Sequence, residues 1–514
     1  MIVGIDLGTT NSLIAYFTGE GPKIIPNRLG KNLTPSVVSV DEENQIYVGE
    51  TAAERMALYP DTVAAAFKRS MGSSREYKLG KRTFTPEELS SFILRSLKED
   101  AEAYLGEEVT EAVISVPAYF DNERRKATKR AGELAGFKVE RIISEPTAAA
   151  IAYGLYERKR NTRFLVFDLG GGTFDVSILE LYQNILEVRA VAGDNYLGGE
   201  DFTDVMERMF LRDHGLEEEK LDRRTLVNIH SQAEKAKLRL SDSRETEMSC
   251  KVDGEVLTTK VEYSQYEREC ENLLARIRKP VQRSLSDAHI KLSDIDVIVL
   301  VGGATKFQIV RDFIIKLFKK FPDTSVNPDE AVALGAAIQA AMKERNEAVK
   351  EVILTDVCSF TLGTEVVVER GRGNFESGHF CPIIDRNTVI PASRTERFYT
   401  VHDDQTKITV NVLQGESRYA ANNLLLGEMT ISVPKNKAGA EAVDVTYTYD
   451  INSILEVEVL VLSTGEKKKQ IIKGKDNDMG GAQIEERMRE LSYLKIHPRD
   501  KEENKLLLLR GERL

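Results

Sequence analysis

The chain has 514 residues, of which 41% are hydrophobic and 30% are charged, and its formal net charge is −11. This composition is typical of a folded protein rather than a disordered one, and a chain of this length should divide into two or more domains. The negative charge argues against a protein that wraps nucleic acid. No stretch reaches the roughly 18 consecutive apolar residues of a membrane helix, and MIVGIDLGTTNS is no signal peptide. We therefore expect a cytoplasmic protein with no membrane contact and four reduced cysteines.

Three segments of the first 350 residues share one form, an apolar strand followed by a glycine-containing turn. They are IVGIDLGTTN (2–11), FLVFDLGGGTFD (164–175) and VIVLVGGATK (297–306). The first two both place Asp-Leu-Gly at the strand end, which predicts two similar lobes. Helices are predicted between these segments, at 121–136 and 227–241. Strands that alternate with helices indicate an α/β architecture up to about residue 350.

The pattern changes in the second half of the chain. Apolar and polar residues alternate in KITVNVL (407–413), MTISV (429–433) and LEVEVLVL (455–462), which predicts an antiparallel β domain over 357–473. From residue 482 onward the pattern is helical again. The short apolar segment EVILTD (351–356) joins the two halves.

The glycine turns have a composition suited to binding phosphate. Glycine lets several backbone N–H groups point at one anion and lets the backbone approach it closely. Asp6 and Asp168 directly behind the turns would repel phosphate, so a cation such as Mg²⁺ is implied. One such turn alone is more often a tight connection between strands, but two matching units and a third Gly-Gly turn favour a nucleotide site. Since G-x-x-x-x-G-K-[ST] and G-x-G-x-x-G are absent, P-loop and dinucleotide-binding folds are disfavoured.

These segments belong to a larger set of motifs: IDLGTTNS, VPAYFD, SEPTAAAIAYG, FDLGGGTFDVS, LGGEDF, LVGGATK, NPDEAVALGAA and VLQGE. Together they resemble the DnaK-type seventy-kilodalton heat-shock chaperones over nearly the whole chain. The short C-terminal region resembles the specialised bacterial HscC branch. The resemblance implies an α/β, actin-like, two-lobed ATPase domain at 1–350 and an apolar linker at 351–356. It also implies an antiparallel β-sandwich substrate-binding domain at 357–475 and a short, partial or abbreviated helical lid at 476–514.

The resemblance implies an ATP-dependent chaperone that hydrolyses ATP to ADP and phosphate with Mg²⁺, K⁺ being a further candidate ion. The matching catalytic residues are Lys68, Glu145, Asp168, Thr173 and Asp175. The matching metal-binding residues, acting largely through water, are Asp6 and Asp168. The matching nucleotide-binding residues are Gly8, Thr9, Thr10, Asn11, Gly170, Gly171, Gly172, Gly198, Gly199, Glu234, Lys237, Ser241, Gly302, Gly303, Lys306 and Asp329.

The implied partners are unfolded or extended polypeptide clients, a J-domain cochaperone and, less directly, a nucleotide exchange factor. The matching peptide-binding residues are Val367, Phe398, Val401, Ile408 and Val410, of which Val410 suits a sandwich core almost equally well. The residues that match the family's relay between nucleotide state and the rest of the molecule are Pro117, Arg125, Arg141, Val352, Ile353 and Leu354. Arg141 also fits the J-domain contact.

Three positions depart from the family pattern. Lys306 stands where many members have an arginine along the adenine, and Leu238 is an arginine in some members. Because arginine and lysine stack differently, weaker nucleotide binding is expected. Thr355 replaces an apolar linker residue, which predicts weaker coupling between the two halves.

Three alternative functions use related ATPase lobes. An actin-like filament protein or a sugar kinase would give no role to the β half of the chain. An exchange factor derived from the chaperone would bind ATP without using it, and the presence of Lys68, Glu145 and Thr173 argues against that.

Overall fold

The structure is a computed structural model that describes residues 1–154, 161–182, 185–344, 353–369, 375–450, 455–472 and 481–513. The chain divides into two compact units. The first comprises Met1–Tyr119, Lys126–Leu354 and Ala482–Leu514, and the second comprises Phe120–Arg125 and Thr355–Gly481. Among the helices of the described ranges, none combines the length and apolar character needed to cross a membrane.

The strands up to residue 301 belong to the first unit. They are β1 Ile2–Leu7, β2 Asn11–Thr18, β3 Gly21–Ile25, β4 Thr34–Pro35, β5 Val37–Val40, β6 Ile46–Val48, β7 Val63–Ala65, β8 Tyr77–Leu79, β9 Arg82–Phe84, β10 Glu111–Val116, β11 Lys138–Ser144, β12 Thr162–Leu169, β13 Phe174–Tyr182, β14 Ile185–Asp194, β15 Glu245–Val252, β16 Glu255–Glu262 and β17 Val297–Val301.

The later strands form the second unit, apart from the start of β18, where the chain passes from one unit to the other. They are β18 Ile353–Val357, β19 Leu362–Glu369, β20 Phe375–Ile384, β21 Val389–Ile390, β22 Ala392–Tyr399, β23 Lys407–Gln414, β24 Leu424–Ser432, β25 Ala442–Tyr449, β26 Leu455–Val461 and β27 Lys467–Ile471.

The α-helices lie in the first unit, except for the first residues of α3 and the first residue of α11. They are α1 Glu50–Leu58, α2 Pro86–Leu105, α3 Asn122–Leu134, α4 Glu145–Ala152, α5 Gly199–Asp213, α6 Arg223–Arg239, α7 Tyr263–Glu269, α8 Glu271–Asp287, α9 Gln308–Phe318, α10 Ala331–Lys343, α11 Gly481–Ser492 and α12 Glu502–Arg513.

Two sheets of the first unit repeat one local arrangement. In one, the strand order is β11-β10-β1-β2-β3, with β4 also paired to β2, and in the other it includes β17-β12-β13-β14. Strand β1 is parallel to β10 and antiparallel to β2, just as β12 is parallel to β17 and antiparallel to β13. The two Asp-Leu-Gly segments therefore occupy equivalent positions, each at the end of a strand from which the chain turns into the next, antiparallel strand.

Small residues allow α10 to approach the sheet closely. A Cβ atom at Gly4 of β1 would collide with the backbone of Ala337, and one at Gly335 would collide with the backbone of Ala148 in α4. Alanine is the best helix former and loses no side-chain entropy. The alanine-rich sequence of α10 thus favours the helix and its tight contact together, which supports the strand that carries Asp6.

The second unit contains two antiparallel sheets with strand orders β20-β19-β23-β24 and β22-β25-β26-β27. Along β25 and β26, buried residues alternate with partly exposed ones, as the sequence pattern predicts. The buried side chains, including Val412, Val445, Tyr447 and Val457, form one hydrophobic core. Tyr447 satisfies its buried hydroxyl by donating a 2.9 Å hydrogen bond to the carbonyl of Gly363.

Helices α11 and α12, within the segment predicted as a lid, lie in the first unit. The segment between them pairs with β6, since the Ile46 amide donates to the Lys495 carbonyl over 2.9 Å and the His497 amide donates to the Ile46 carbonyl over 2.7 Å. The imidazole of His497 stacks on Tyr47 with 4.9 Å between ring centroids. Leu509 in α12 is buried, whereas Leu507 and Leu508 are exposed.

A buried carboxylate on α2 contributes to this contact. Asp100 accepts hydrogen bonds from Arg28 over 3.2 Å and from Arg499 over 3.1 Å. Arg28 also donates to the His497 carbonyl over 2.9 Å. Burial raises the pKa of Asp100 to about 6, although the two arginines oppose the rise.

The raised pKa of Asp100 predicts a pH-dependent contribution to stability. Because the folded state holds this proton more tightly than the unfolded state does, the contribution is complete below about pH 4 and is lost as the pH rises through about 6. The free energy of unfolding of the wild type relative to Asp100→Asn should fall by about 2 kcal/mol between pH 4.5 and pH 7.5.

Urea unfolding of both proteins at the two pH values measures this difference. Asp500→Asn is the matched control, because Asp500 is an exposed carboxylate of the same C-terminal segment. A difference between wild type and Asp100→Asn that does not change with pH would contradict the prediction.

Candidate functional site

A cavity of about 700 Å³ in the first unit collects most of the residues predicted for a nucleotide site. The predicted residues that line it are Asp6, Gly8, Thr9, Thr10, Asn11, Lys68, Glu145, Asp168, Gly170, Gly171, Thr173, Gly199, Glu234, Lys237, Ser241, Gly302, Gly303, Lys306 and Asp329. The chain brings them together from the turns that follow β1, β12 and β17 and from α5 and α6.

A buried ion pair lies on one side of the cavity. Lys68 stands in a short 3-10 helix, Phe67–Ser70, which follows Ala66 in the left-handed region at φ 53°. Its Nζ donates a 2.9 Å hydrogen bond to Oε1 of Glu145, the first residue of α4. Both side chains are buried. Partner loss at such a pair leaves an uncompensated buried charge, so the two residues fix one another's position.

Three further carboxyl groups lie close to this pair. Burial, and then the negative charge of Glu145, raises the pKa of Asp6 to about 7 and that of Asp175 to about 8. The pKa of Asp168 is raised well above its usual range by the same two causes. Lys68 opposes each rise without cancelling it. The cluster therefore favours additional positive charge.

The donor set fits a hard divalent cation. Asp6 accepts a 2.8 Å hydrogen bond from Ser115 at Oδ1. Among the described residues, Oδ2 of Asp168 is buried and has no hydrogen-bond partner. Mg²⁺ takes oxygen ligands and usually keeps several waters. Asp6 and Asp168 are thus suited to hold it directly or through water.

Asp175 lies behind Asp168 rather than on the cavity wall. The two residues face each other across β12 and β13 and both are buried. Gly172 and Gly198, which were also predicted to contact nucleotide, do not line the cavity. A Cβ atom at Gly172 would meet Arg69 and Thr9, and one at Gly198 would meet the backbone of Gly171. These two glycines permit the close packing of the turn against its neighbours.

The turn at Gly170–Thr173 is held by α5. The Gly199 and Glu200 amides each donate a 2.9 Å hydrogen bond, to the carbonyls of Gly170 and Gly171. The turn is also closed internally, as the Gly170 amide donates to the Thr173 carbonyl over 3.0 Å. The first N–H groups of α5 are therefore used to position the turn.

Residues of α6 and of the turn after β17 also line the cavity. Lys237 is buried and donates to the Gly199 carbonyl over 3.0 Å and to the Thr203 hydroxyl over 2.6 Å. Burial lowers the pKa of Lys237. Lys306 forms an ion pair with Asp329, and both residues line the cavity. Lys237 thus joins α6 to α5, whereas Lys306 keeps a partly exposed side chain.

Two arginines near the cavity were not predicted. Arg69 follows Lys68 and donates to the Gly171 carbonyl over 3.3 Å, with Asp201 of α5 at 3.4 Å. The adjacency of Arg69 to Lys68 in the sequence was a signal from which Arg69 could have been predicted. Arg311 of α9 lines the cavity and donates to the Thr305 carbonyl over 3.4 Å. No sequence pattern distinguishes Arg311 from other helix arginines.

The predicted peptide-binding residues lie in the second unit on β19, β22 and β23 and just after β22. Val367 is 38% exposed, whereas Val410 is 3% exposed and belongs to the core. Phe398 and Ile408 are partly buried and pack against the same core. Val401 is partly buried, and its amide donates to Oε1 of Gln405 over 2.9 Å. Val367 and Val401 are thus more accessible than Val410.

The predicted relay residues are divided between the units. Pro117 is buried directly after β10, and Arg141 on β11 lies beside Val113 of β10. Arg125 is buried within the second unit and donates from Nε to the Phe120 carbonyl over 3.2 Å. Ile353 and Leu354 form the start of β18, and Val352 lies outside the described residues.

The family model described as Hsp70 protein matches residues 2–79 and 74–507. The chain is 43% identical over 488 residues to the chaperone protein DnaK of Thermosipho africanus, a match that covers 92% of this chain and 80% of the relative. It is 43% identical over 489 residues, with the same coverage, to the chaperone protein DnaK of Thermotoga petrophila and to that of Thermotoga maritima. The chain therefore belongs to the Hsp70 protein family.

Proposed function

We propose that this protein is an ATP-dependent chaperone that hydrolyses ATP in the first unit and binds extended apolar segments of unfolded proteins on the second. The observation that carries the proposal is the single cavity that joins two Asp-Leu-Gly turns, a Gly-Gly turn and the buried Lys68–Glu145 pair. The family model extends to residue 507 and so includes the β half. A filament protein or a sugar kinase would give that half no role.

The residues of the cavity have different roles in phosphoryl transfer. The glycine turns present backbone N–H groups to the phosphates, and Lys68 orients the attacking water and stabilises negative charge on the transferred group. Glu145 holds Lys68 in place through their 2.9 Å hydrogen bond. Thr173, which lines the cavity, contacts the water, and Asp175 acts on the same site through its cross-strand neighbour Asp168. When bound by Asp6 and Asp168, Mg²⁺ offsets the charge of the phosphates.

The second unit supplies the client site. An extended chain gains affinity from main-chain hydrogen bonds and selectivity from an apolar pocket. Val367, which is exposed, and the partly buried Val401 arch over the client, and Phe398, Ile408 and Val410 line the central pocket. A client that binds the ADP state more tightly also disfavours ATP, since binding free energies are reciprocally linked.

Residues outside the cavity connect the nucleotide state to the second unit and to partner proteins. Pro117, Arg125 and Arg141 transmit the nucleotide state, and the 351–356 linker, including Val352, Ile353 and Leu354, carries it to the second unit. Arg141 contacts a J-domain cochaperone. An exchange factor for ADP release is the partner least supported by the residues.

Substitution of Lys68 tests the hydrolytic site. In Lys68→Ala, single-turnover ATP hydrolysis should fall by roughly a hundredfold or more, because a preorganised charge at the transferred phosphate is lost. Nucleotide binding should persist, since many other groups contact the phosphates. Lys316→Ala is the control, as Lys316 forms a surface ion pair with Glu267 in the same unit.

The same assay tests the link to the client site. An unfolded apolar peptide should accelerate single-turnover hydrolysis by the wild-type protein. If hydrolysis depends on Lys68 but is not accelerated by the peptide, the proposed ATPase activity is supported and the proposed coupling to client binding is contradicted.

The position of Lys306 predicts a gain in affinity on substitution. Its side chain is 42% exposed at the cavity mouth, where a guanidinium can lie along the adenine. Lys306→Arg should lower the dissociation constant of ADP about two- to fivefold, the effect of a stacked cation at an exposed site. Calorimetric titration measures the constant, with Lys316→Arg as control. An unchanged or weaker affinity in Lys306→Arg would show that Lys306 does not lie along the adenine.

Thr355 tests the role of the linker. Its hydroxyl is buried and, among the described residues, has no hydrogen-bond partner. Thr355→Leu should increase the stimulation of hydrolysis by peptide and leave the basal rate unchanged, because an apolar side chain strengthens linker docking. Thr355→Ser keeps the polar group and serves as control. If peptide stimulates hydrolysis equally in Thr355→Leu and in the wild type, the coupling between the units does not depend on an apolar residue at this position.

A further inference from the structure

A group of acidic side chains and one histidine lies between α5 and α6, apart from the hydrolytic residues. Glu200, Asp204 and Glu207 are spaced by four and three residues along α5, so they share one face of that helix. His230 of α6 faces them. All four side chains are partly buried, with exposures between 15% and 48%.

The imidazole contacts carboxylates through both of its nitrogens. Nδ1 of His230 lies 2.9 Å from Oε2 of Glu207 and 3.9 Å from Oδ1 of Asp204. Nε2 lies 3.2 Å from Oε2 of Glu200. One ligand atom from each of Asp204, Glu207 and His230 can be chosen so that all lie within 4.8 Å of one another. Three donors of this kind, at this separation, can converge on one metal ion.

The remaining contact matches the outer shell of known metal sites. A histidine that binds a metal through one nitrogen usually donates its other N–H to a carboxylate or carbonyl, which fixes the tautomer and the ring orientation. Glu200 takes that place here, because it meets Nε2 while Nδ1 faces Glu207 and Asp204. The four residues thus divide into three ligands and one orienting group.

The local charge also favours a cation. Three carboxylates of α5, those of Glu200, Asp204 and Glu207, lie within 3.9 Å of one imidazole. Lys237, the nearby lysine of α6, instead donates to Gly199 and Thr203. The three carboxylates therefore carry more negative charge than a single imidazole can balance, even when it is protonated.

We propose that Asp204, Glu207 and His230 bind a divalent transition-metal ion of the Zn²⁺, Co²⁺ and Mn²⁺ class, with Glu200 orienting the imidazole. Nitrogen and carboxylate donors suit these ions, whereas Mg²⁺ prefers an all-oxygen shell. The site is therefore chemically distinct from the pair Asp6 and Asp168.

A bound ion would tie α5 to α6 beside the nucleotide cavity. Glu200 itself lines that cavity, and α6 carries Glu234 and Lys237 one or two turns from His230. An ion that binds the folded chain and not the unfolded one stabilises the fold by mass action. The site should thus raise the thermal stability of the first unit whether or not nucleotide is present.

Cobalt titration of the metal-free full chain tests the proposal. With excess Mg²⁺ present and nucleotide absent, calorimetry should show one equivalent of Co²⁺ bound to the wild type, and the visible spectrum should show nitrogen–oxygen ligation. His230→Ala, Glu207→Gln and Asp204→Asn should each weaken binding by more than about tenfold, the loss that removal of even an outer-shell partner produces. Glu200→Gln should weaken it less.

His289→Asn is the matched control, since His289 is exposed and its φ of 55° suits asparagine. This variant should bind Co²⁺ as the wild type does. The circular dichroism spectrum and ADP affinity of each variant show whether it is folded, and the two carboxamide variants retain the test where His230→Ala does not fold. No binding to the wild type, or equal binding to all variants, would overturn the proposal.

Discussion

The contact between Lys68 and Glu145 lets the first unit keep several carboxyl groups in one buried place. The pKa values of Asp6, Asp168 and Asp175 are all raised, with burial as the largest cause and Glu145 as the next. Without the ammonium of Lys68, these groups would lose their nearest opposing charge and Glu145 its hydrogen-bond donor. A fully neutralised cluster would be easier to bury, but it would have no preference for a cation that accompanies phosphate. The same buried carboxyl cluster therefore lowers the stability of the fold and provides the capacity to bind a cation.

The backbone around this cluster is positioned by contacts that leave little freedom. The turn after β12 offers its Gly170 and Gly171 carbonyls to the first amides of α5, and Lys237 of α6 donates to the carbonyl of Gly199 at the start of α5. Displacement of α6 would therefore disturb the start of α5 and then the turn after β12. This chain of hydrogen bonds physically couples two parts of the cavity, α6 and the glycine turn, which are proposed to contact the nucleoside and the phosphates.

Much of this site could be predicted from the sequence because its signal is local. An apolar strand that ends in Asp-Leu-Gly fixes where the carboxylate and the turn must lie, and β1 and β12 end within this pattern. The alternation of β25 and β26 likewise fixes which face is buried. Gly172 and Gly198 do not line the cavity and lie close to neighbouring groups. A glycine that lines a cavity and one that packs against its neighbours look alike in a sequence.

Long-range contacts could not be predicted in the same way. An amphipathic helix has an apolar face whatever it packs against, so the pattern of 482–514 could not show that α11 and α12 lie in the first unit. The position of Arg311 at the cavity depends on helix packing, which residue spacing does not encode. The same is true of the contact of His230 with Glu200, Asp204 and Glu207. The sequence pattern of Val410 was compatible with a pocket and with a core, and the structure adds that its side chain is 3% exposed and packs in the core.

The position of α11 and α12 bears on the client binding proposed for the second unit. Their segment uses main-chain hydrogen bonds to Ile46, the stacking of His497 on Tyr47 and the buried pairing of Asp100 with Arg499. If the second unit binds clients as proposed, any closure over a client by these helices must first break these contacts, and the free energy of the contacts opposes closure. Stronger contact of α11 and α12 within the first unit would then speed client exchange, without any change in the proposed peptide site itself.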